Sequence, residues 1–364
     1  VENPIDAVVV GTSDSHNAIV SPSAMVMSKH VLCEKPLTPP GNESRLPTKM
    51  ADKYKVATRM GNNGASGQGV RTTCHWIWSG EIGEVTKVEA FTDRPIWPQG
   101  LPTPENPDPV PPTLNWDLFI GPAKMRPFNH AYTPWNWRGW WDYGTGALGD
   151  MACHILHPVF KALQLGYPTK VQGSSTPLLV DCAPNAQMVK YIFPARPKYR
   201  NVNLPEVEVA WYDGGLKPPR PEGLPDGRNL NDSGGGVIFH GTKDTLICGC
   251  YGVNPWLLSG RTPEKKGYLR EVPQNNHFMD FVRAAKESAG SRVDTASPLS
   301  EAGPFNEMVG MGVLAVRLQA LNTILDWDGQ NMRFTNIGPE ETLRILVKDG
   351  FSITDGHPTF NSTY

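Results

Sequence analysis

Three short apolar runs, each leading into a turn, restrict what the first sixty residues can build. Asp6-Ala-Val-Val-Val-Gly-Thr12 is a continuous apolar stretch that enters a Gly-Thr loop. Lys29-His-Val-Leu-Cys-Glu-Lys-Pro36 is a second, ending in a polar turn, and Lys55-Val-Ala-Thr-Arg-Met60 is a third. Short runs without polar alternation read as strands buried on both faces. The segments between them, about 16–28 and 44–54, have helical length, although Pro22 and Pro47 interrupt them. Strand and helix alternating at this spacing predict a parallel, doubly wound sheet.

Beyond residue 62 the pattern changes. Residues 67–79 read as a helix and 84–91 as a half-buried strand. Residues 95–134 hold 11 of the 35 prolines, and six of the 11 tryptophans fall between Trp97 and Trp141. Such a segment is too apolar for a solvated linker and is expected to pack across a cleft. Further strands are expected at 168–175, 186–193, 206–213, 235–240 and 244–250. With no helices between them they imply an antiparallel sheet. Helices at about 274–287 and 304–325 complete the pattern, an α+β domain following an α/β one.

The charge balance, 34 Lys plus Arg against 36 Asp plus Glu, lacks the basic excess that binding nucleic acid requires. No 18-residue apolar run is present, which argues against a spanning helix. The six cysteines are scattered, with Cys248-x-Cys250 the closest pair, so buried thiols are expected rather than a disulfide framework or a zinc site. The first residues, Val1 to Ile5, resemble neither part of a signal peptide.

One literal GxGxxG occurs, Gly144-Thr-Gly-Ala-Leu-Gly149, but Trp137-Arg-Gly-Trp-Trp-Asp-Tyr143 before it is not a strand. No carboxylate stands some 20 residues later, so the dinucleotide reading fails. More informative is Asp150-Met-Ala-Cys-His154-Ile-Leu-His157. Asp150 and His154 are four apart and face one side of a helix. The carboxylate can orient the imidazole and stabilise its charged form, as a general acid/base requires. A helix-terminal Asp beside a core His is the structural alternative, and a metal site of Asp150, His154 and His157 a third. Glu34-Lys35-Pro36 ends the second strand, where doubly wound sheets bind ligands. A lysine there can hold a substrate hydroxyl or be an ordinary surface residue.

Together, 6–12, the run from Lys29 through Glu34-Lys35-Pro36 to Thr38, and 149–154 resemble the Gfo/Idh/MocA oxidoreductases, over residues 1 to about 340. The resemblance implies the second half of a Rossmann-like dinucleotide-binding domain at 1–61. A domain for substrate binding and oligomerisation would follow at 62–345, with a tail at 346–364. It implies NAD or NADP as cofactor and Lys35, Asp150 and His154 as the catalytic group, and it favours acid/base chemistry over a metal. Cofactor contacts would come from Gly11, Thr12, Ser13, Asp14, His16, Glu34, Lys35, Pro36 and Asn62. A sugar pocket would use Trp137, Arg138, Trp141, Asp142 and His157. The implied reaction is hydride transfer from a secondary hydroxyl of a sugar, cyclitol or glycoside. Some relatives instead cleave glycosides through a 3-keto intermediate, and a cofactor-less carbohydrate-binding remnant is a third reading.

The departures are specific. The glycine fingerprint of the first βαβαβ half is absent, so roughly 60 or more residues of a longer enzyme are expected upstream. Thr12-Ser-Asp-Ser-His-Asn17 carries Ser13 and Asn17 where the family commonly has Pro and His. Self-association through the open sheet is expected, with no nucleic-acid or membrane partner, in cytoplasm or periplasm.

Overall fold

The computed structural model describes residues 5–38, 42–230, 234–338, 351–354 and 357–360. Strand β1 (Ala7–Val10), helix α1 (Asp14–Val26), β2 (His30–Cys33), α2 (Leu46–Tyr54) and β3 (Thr58–Met60) follow in turn. The strands form one parallel sheet in the order β1-β2-β3. Val10 pairs with Cys33 and Cys33 with Met60, so the three carboxyl ends are level. β1 is an edge strand, with Val9 63% exposed. Helix α1 runs through Pro22 rather than breaking at it. Pro47 falls in the first turn of α2, where the missing N–H has no intrahelical partner to lose.

Next come α3 (Gln68–Trp78), β4 (Val85–Phe91), α4 (Trp116–Ile120), α5 (Gly146–Ile155) and α6 (His157–Ala162). Strands β5 (Lys170–Ser175), β6 (Gln187–Phe193), β7 (Arg196–Tyr199), β8 (Val202–Leu204), β9 (Val207–Tyr212), β10 (Gly236–Gly241), β11 (Thr245–Gly249) and β12 (Trp256–Leu257) follow. Helices α7 (His277–Lys286) and α8 (Leu299–Arg317) precede β13 (Leu325–Asp328) and β14 (Arg333–Phe334). A second sheet of nine strands runs β12-β11-β10-β4-β9-β6-β5-β13-β14. It is antiparallel except where β4 lies parallel to β9. The chain is therefore α/β joined to α+β. The β7–β8 hairpin and the short β12, β13 and β14 had no clear sequence signal. The expected tail lies outside the described residues, apart from the antiparallel pair β15 (Phe351–Thr354) and β16 (His357–Phe360).

Helix α8 begins five residues before its expected start and ends at Arg317, carrying Pro304 inside. It packs on β5, β6 and α5, and also on β3 and α2, so one buried helix serves both sheets. The proline-rich segment builds a separate core, in which Trp116, Ile120, Phe128, Tyr132, Trp140 and Tyr143 are buried together. Trp116 stacks on Phe119 at 5.3 Å and meets Phe128 edge-on at 5.1 Å. A segment with this much aromatic surface has a core of its own and does not drape loosely. All six cysteines are buried. Among the described residues, no helix is long and apolar enough to cross a membrane.

Candidate active site

The carboxyl end of β2 delivers Glu34-Lys35-Pro36 into a turn held from α1. Asn17 Nδ2 donates to the Pro36 carbonyl at 2.9 Å and to the Glu34 carbonyl at 3.4 Å. The residue that departs from the family pattern thus fixes the turn. From it, Lys35 Nζ reaches α5, 2.7 Å from Asp150 Oδ1 and 3.0 Å from the Asp150 carbonyl. Arg138 Nε donates to the same Oδ1 at 3.2 Å. The Lys35 and Asp150 side chains are each 14% exposed. Burial opposes the charge on Lys35, but Asp150 outweighs it and holds the ammonium above its ordinary pKa. Burial likewise raises Asp150, yet Lys35 and Arg138 hold it below the usual carboxylate range. Each charge is the reason the other persists in a low-dielectric site.

His154 lies one turn further along α5 and is buried, its ring 4.6 Å from that of Tyr251 at 62°. Burial, reinforced by Lys35, pushes its pKa down to about 3 despite Asp150. This corrects the sequence expectation. Asp150 makes no hydrogen bond to His154, because Oδ1 serves Lys35 and Arg138. The imidazole is neutral. Its Nδ1 is buried without a partner, which leaves Nε2 as the nitrogen for a ligand.

Lys35, Asp150 and His154 line one cleft of about 200 Å³ together with Arg94, Ile96, Trp97, Trp135, Arg138, Met151, Gly234, Cys250 and Tyr251. Of the five expected substrate residues, Arg138 alone is part of this lining. Trp137 lies behind it, with the Arg138 guanidinium 4.5 Å over its ring. Trp141 is core, packed against Arg317 at 5.0 Å. Asp142 is ion-paired to Arg126, which also reaches Asp181 at 3.4 Å, so it anchors the proline-rich segment. His157 is 1% exposed, and its Nε2 meets Glu301 Oε1 at 2.8 Å on α8. That removes it from both the sugar pocket and the three-ligand metal alternative. Sequence reasoning missed Arg94, Trp97, Trp135 and Tyr251. Arg94 and Tyr251 follow the carboxyl ends of β4 and β11, the one signal that could have drawn attention to them.

The expected cofactor residues divide. Gly11, Thr12 and Ser13 follow β1, Glu34, Lys35 and Pro36 follow β2, and Asn62 follows β3, all at the level carboxyl ends. Gly11 has open space at its Cβ position, and Thr12 is exposed. The Asn62 side chain is 1% exposed, and neither amide atom has a hydrogen-bond partner. A buried orphan amide at a strand end is the mark of a missing polar partner. His16 is committed elsewhere, with Nδ1 2.8 Å from Ser13 Oγ and Nε2 3.2 Å from the Leu118 carbonyl of the proline-rich segment. Asp14 is buried under Thr145, whose hydroxyl donates to it. The GxGxxG run is a turn into α5 with no strand before it, and Gly149 makes room for the Thr145 side chain.

Residues 79–191 match the family described as "Oxidoreductase family, C-terminal alpha/beta domain" of the GFO/IDH/MocA group. Among solved structures, levoglucosan dehydrogenase in complex with NADH and L-sorbose has a TM-score of 0.55 at 15% identity. That alignment covers 89% of this chain and 80% of the other. An inositol dehydrogenase homolog from Azotobacter vinelandii, complexed with NADH and myo-inositol, scores 0.53 at 12% identity, covering 89% and 78%. The WlbA dehydrogenase from Bordetella pertussis, with NADH and UDP-GlcNAcA, scores 0.55 at 15% identity, covering 90% and 80%. No curated protein matches the sequence. Residues 79–191 thus carry a domain of this oxidoreductase family, and the chain shares its fold with these dehydrogenase structures.

Proposed function

We propose that this chain is an NAD- or NADP-dependent oxidoreductase acting by hydride transfer on a secondary hydroxyl of a sugar, cyclitol or glycoside. The observation that carries the reading is the buried Lys35–Asp150 ion pair at the end of β2, set one helical turn from neutral His154 in a tryptophan-lined cleft. The NADH and sugar complexes of its structural neighbours support it.

Gly11, Thr12 and Ser13 would hold the cofactor with Glu34 and Asn62, whose orphan amide fits a carboxamide or ribose partner. When bound, the nicotinamide supplies the hydride acceptor. Lys35, held charged by Asp150, donates a hydrogen bond to the substrate oxygen and favours loss of its proton as the carbonyl forms. His154 Nε2 accepts that proton. Buried and beside Lys35, the imidazolium is disfavoured, so the proton passes on to solvent. Such acid/base assistance gives about 10²–10⁴ in rate, or roughly 3–5 kcal/mol.

The experiment is a titration of the 364-residue chain with NADH and NADPH, read by tryptophan fluorescence, followed by a sugar panel with the oxidised cofactors. Micromolar binding and sugar-dependent cofactor reduction are expected. No binding up to millimolar concentration overturns the reading for this chain. The reading includes self-association through the outer face of the nine-stranded sheet, where Met188 and Lys190 are exposed. Sedimentation of the purified chain tests that part.

A further inference from the structure

The cleft is short of acceptors. Three cations line it, Lys35, Arg94 and Arg138, and among the described lining residues Asp150 is the single carboxylate. That carboxylate is already shared between Lys35 and Arg138. The two arginines are held in place by their neighbours. Arg138 lies between two indoles, its guanidinium 4.7 Å over Trp135 and 4.5 Å over Trp137. Nε and Nη1 are used, on Asp150 and on the Trp135 carbonyl at 3.4 Å, and among the described residues no protein group takes Nη2. Arg94 pairs through Nη1 with Asp93, which is on the surface, while its Nη2 lies against Gly234 of the cleft wall. Among the described residues Asp93 and Asp150 are the carboxylates hydrogen-bonded to these three cations, one fewer than the cations themselves.

A neutral sugar can accept from this donor-rich wall through its hydroxyl and ring oxygens, but it brings no negative charge to set against the surplus. We propose that the substrate carries a carboxylate, as a uronic acid or its glycoside does, bound by Arg94 and Arg138 while its reacting hydroxyl faces Lys35 and His154. Planar guanidinium forks match a planar carboxylate, and a monoanion balances the single surplus charge where a phosphate dianion exceeds it. The indoles of Trp97 and Trp135 supply the faces for the C–H side of the ring, and a cavity of about 200 Å³ is small enough to select one ring.

This rests on the oxidoreductase reading, so binding and turnover are measured separately. Calorimetry compares a hexopyranose, the corresponding uronate, the uronate methyl ester and the hexose 6-phosphate. The uronate is expected to bind about 10- to 100-fold more tightly than its ester, less so at high salt. The margin should narrow to a few-fold in Arg94→Met. Equal binding of acid and ester by the wild type, tighter binding of the phosphate, or no binding of any of the four overturns the inference. The acid–ester comparison needs no variant, so it stands even where Arg94→Met fails to fold. Uronate preference without cofactor reduction would uphold the substrate class and sink the dehydrogenase reading. Reduction by neutral sugars without uronate preference would do the reverse.

Discussion

The Thr145 hydroxyl donates a 2.8 Å hydrogen bond to Asp14 Oδ2, tying the start of α1 in the parallel sheet unit to the turn that begins α5. Asp14 forms no ion pair among the described residues. Burial pushes its pKa up to about 7, against the pull of Thr145 and Lys35. The native state thus holds this proton more tightly than the unfolded chain, and the associated stability is lost as pH rises from about 4 through 7. Asp14→Asn keeps an acceptor for Thr145 and removes the titration. Between about pH 5 and 8 the wild type should lose roughly 2–3 kcal/mol relative to Asp14→Asn in denaturant unfolding. Asp213, also raised to about 7 by burial, is common to both proteins and cancels. Parallel pH profiles would show that Asp14 is ionised.

Removing one member of the buried pair should be costly. Asp150→Asn leaves Lys35 and Arg138 facing each other without a counter-charge, and a loss of about 3–5 kcal/mol in stability is expected. Lys35→Met should fold better than Asp150→Asn, yet reduce turnover about 10²–10⁴-fold. An active Lys35→Met enzyme would remove Lys35 from the chemistry.

His154 is neutral in the native state down to about pH 3 and titrates near 6.5 when unfolded. Its lowered pKa gives a contribution present above pH 6.5 and lost as the pH falls towards 3. His154→Gln should therefore resist acid unfolding better than the wild type while losing turnover. His277, likewise pushed to about 3 by burial and by Arg59, remains in both proteins. The pH–rate profile of the wild type should show no acid limb from His154 above about pH 5; such a limb, abolished in His154→Gln, would contradict the buried neutral imidazole.

Trp135 is 48% exposed and is one of two faces against which the Arg138 guanidinium rests. Trp135→Ala should weaken carbohydrate binding by about 3- to 30-fold, from lost stacking and a less ordered Arg138. Calorimetry on the folded variant decides it, and unchanged affinity would place the sugar elsewhere.

Asp142 tests the relocated pocket. Because it anchors Arg126 and does not line the cleft, Asp142→Asn should lower thermal stability by a few kcal/mol and leave the acid–ester discrimination intact. Loss of that discrimination at unchanged stability would return Asp142 to the substrate site.

What sequence made legible was local. The carboxyl end of a short apolar run located Lys35, and a four-residue helical spacing put Asp150 and His154 on one face. Arg94, Trp97 and Tyr251 reach the same cleft from loops after β4 and β11, two strands that flank β10 in a sheet whose order no local pattern encodes. The tryptophan-rich run misled for the opposite reason. Trp137, Trp141 and Asp142 are adjacent to the site in sequence, but without a regular period nothing told which faced the cleft and which the core. His157, three residues beyond His154, opens the next helix, α6, and meets Glu301 on α8 instead of facing the cleft.

Helix α8 has a mechanical consequence. Its surface is buried against strands of both sheets, so the sheets cannot pivot apart without tearing a helix out of the interior. The proline-rich arm, which lends Ile96 and Trp97 to the cleft, is pinned to this frame where the Leu118 carbonyl meets the His16 imidazole on α1.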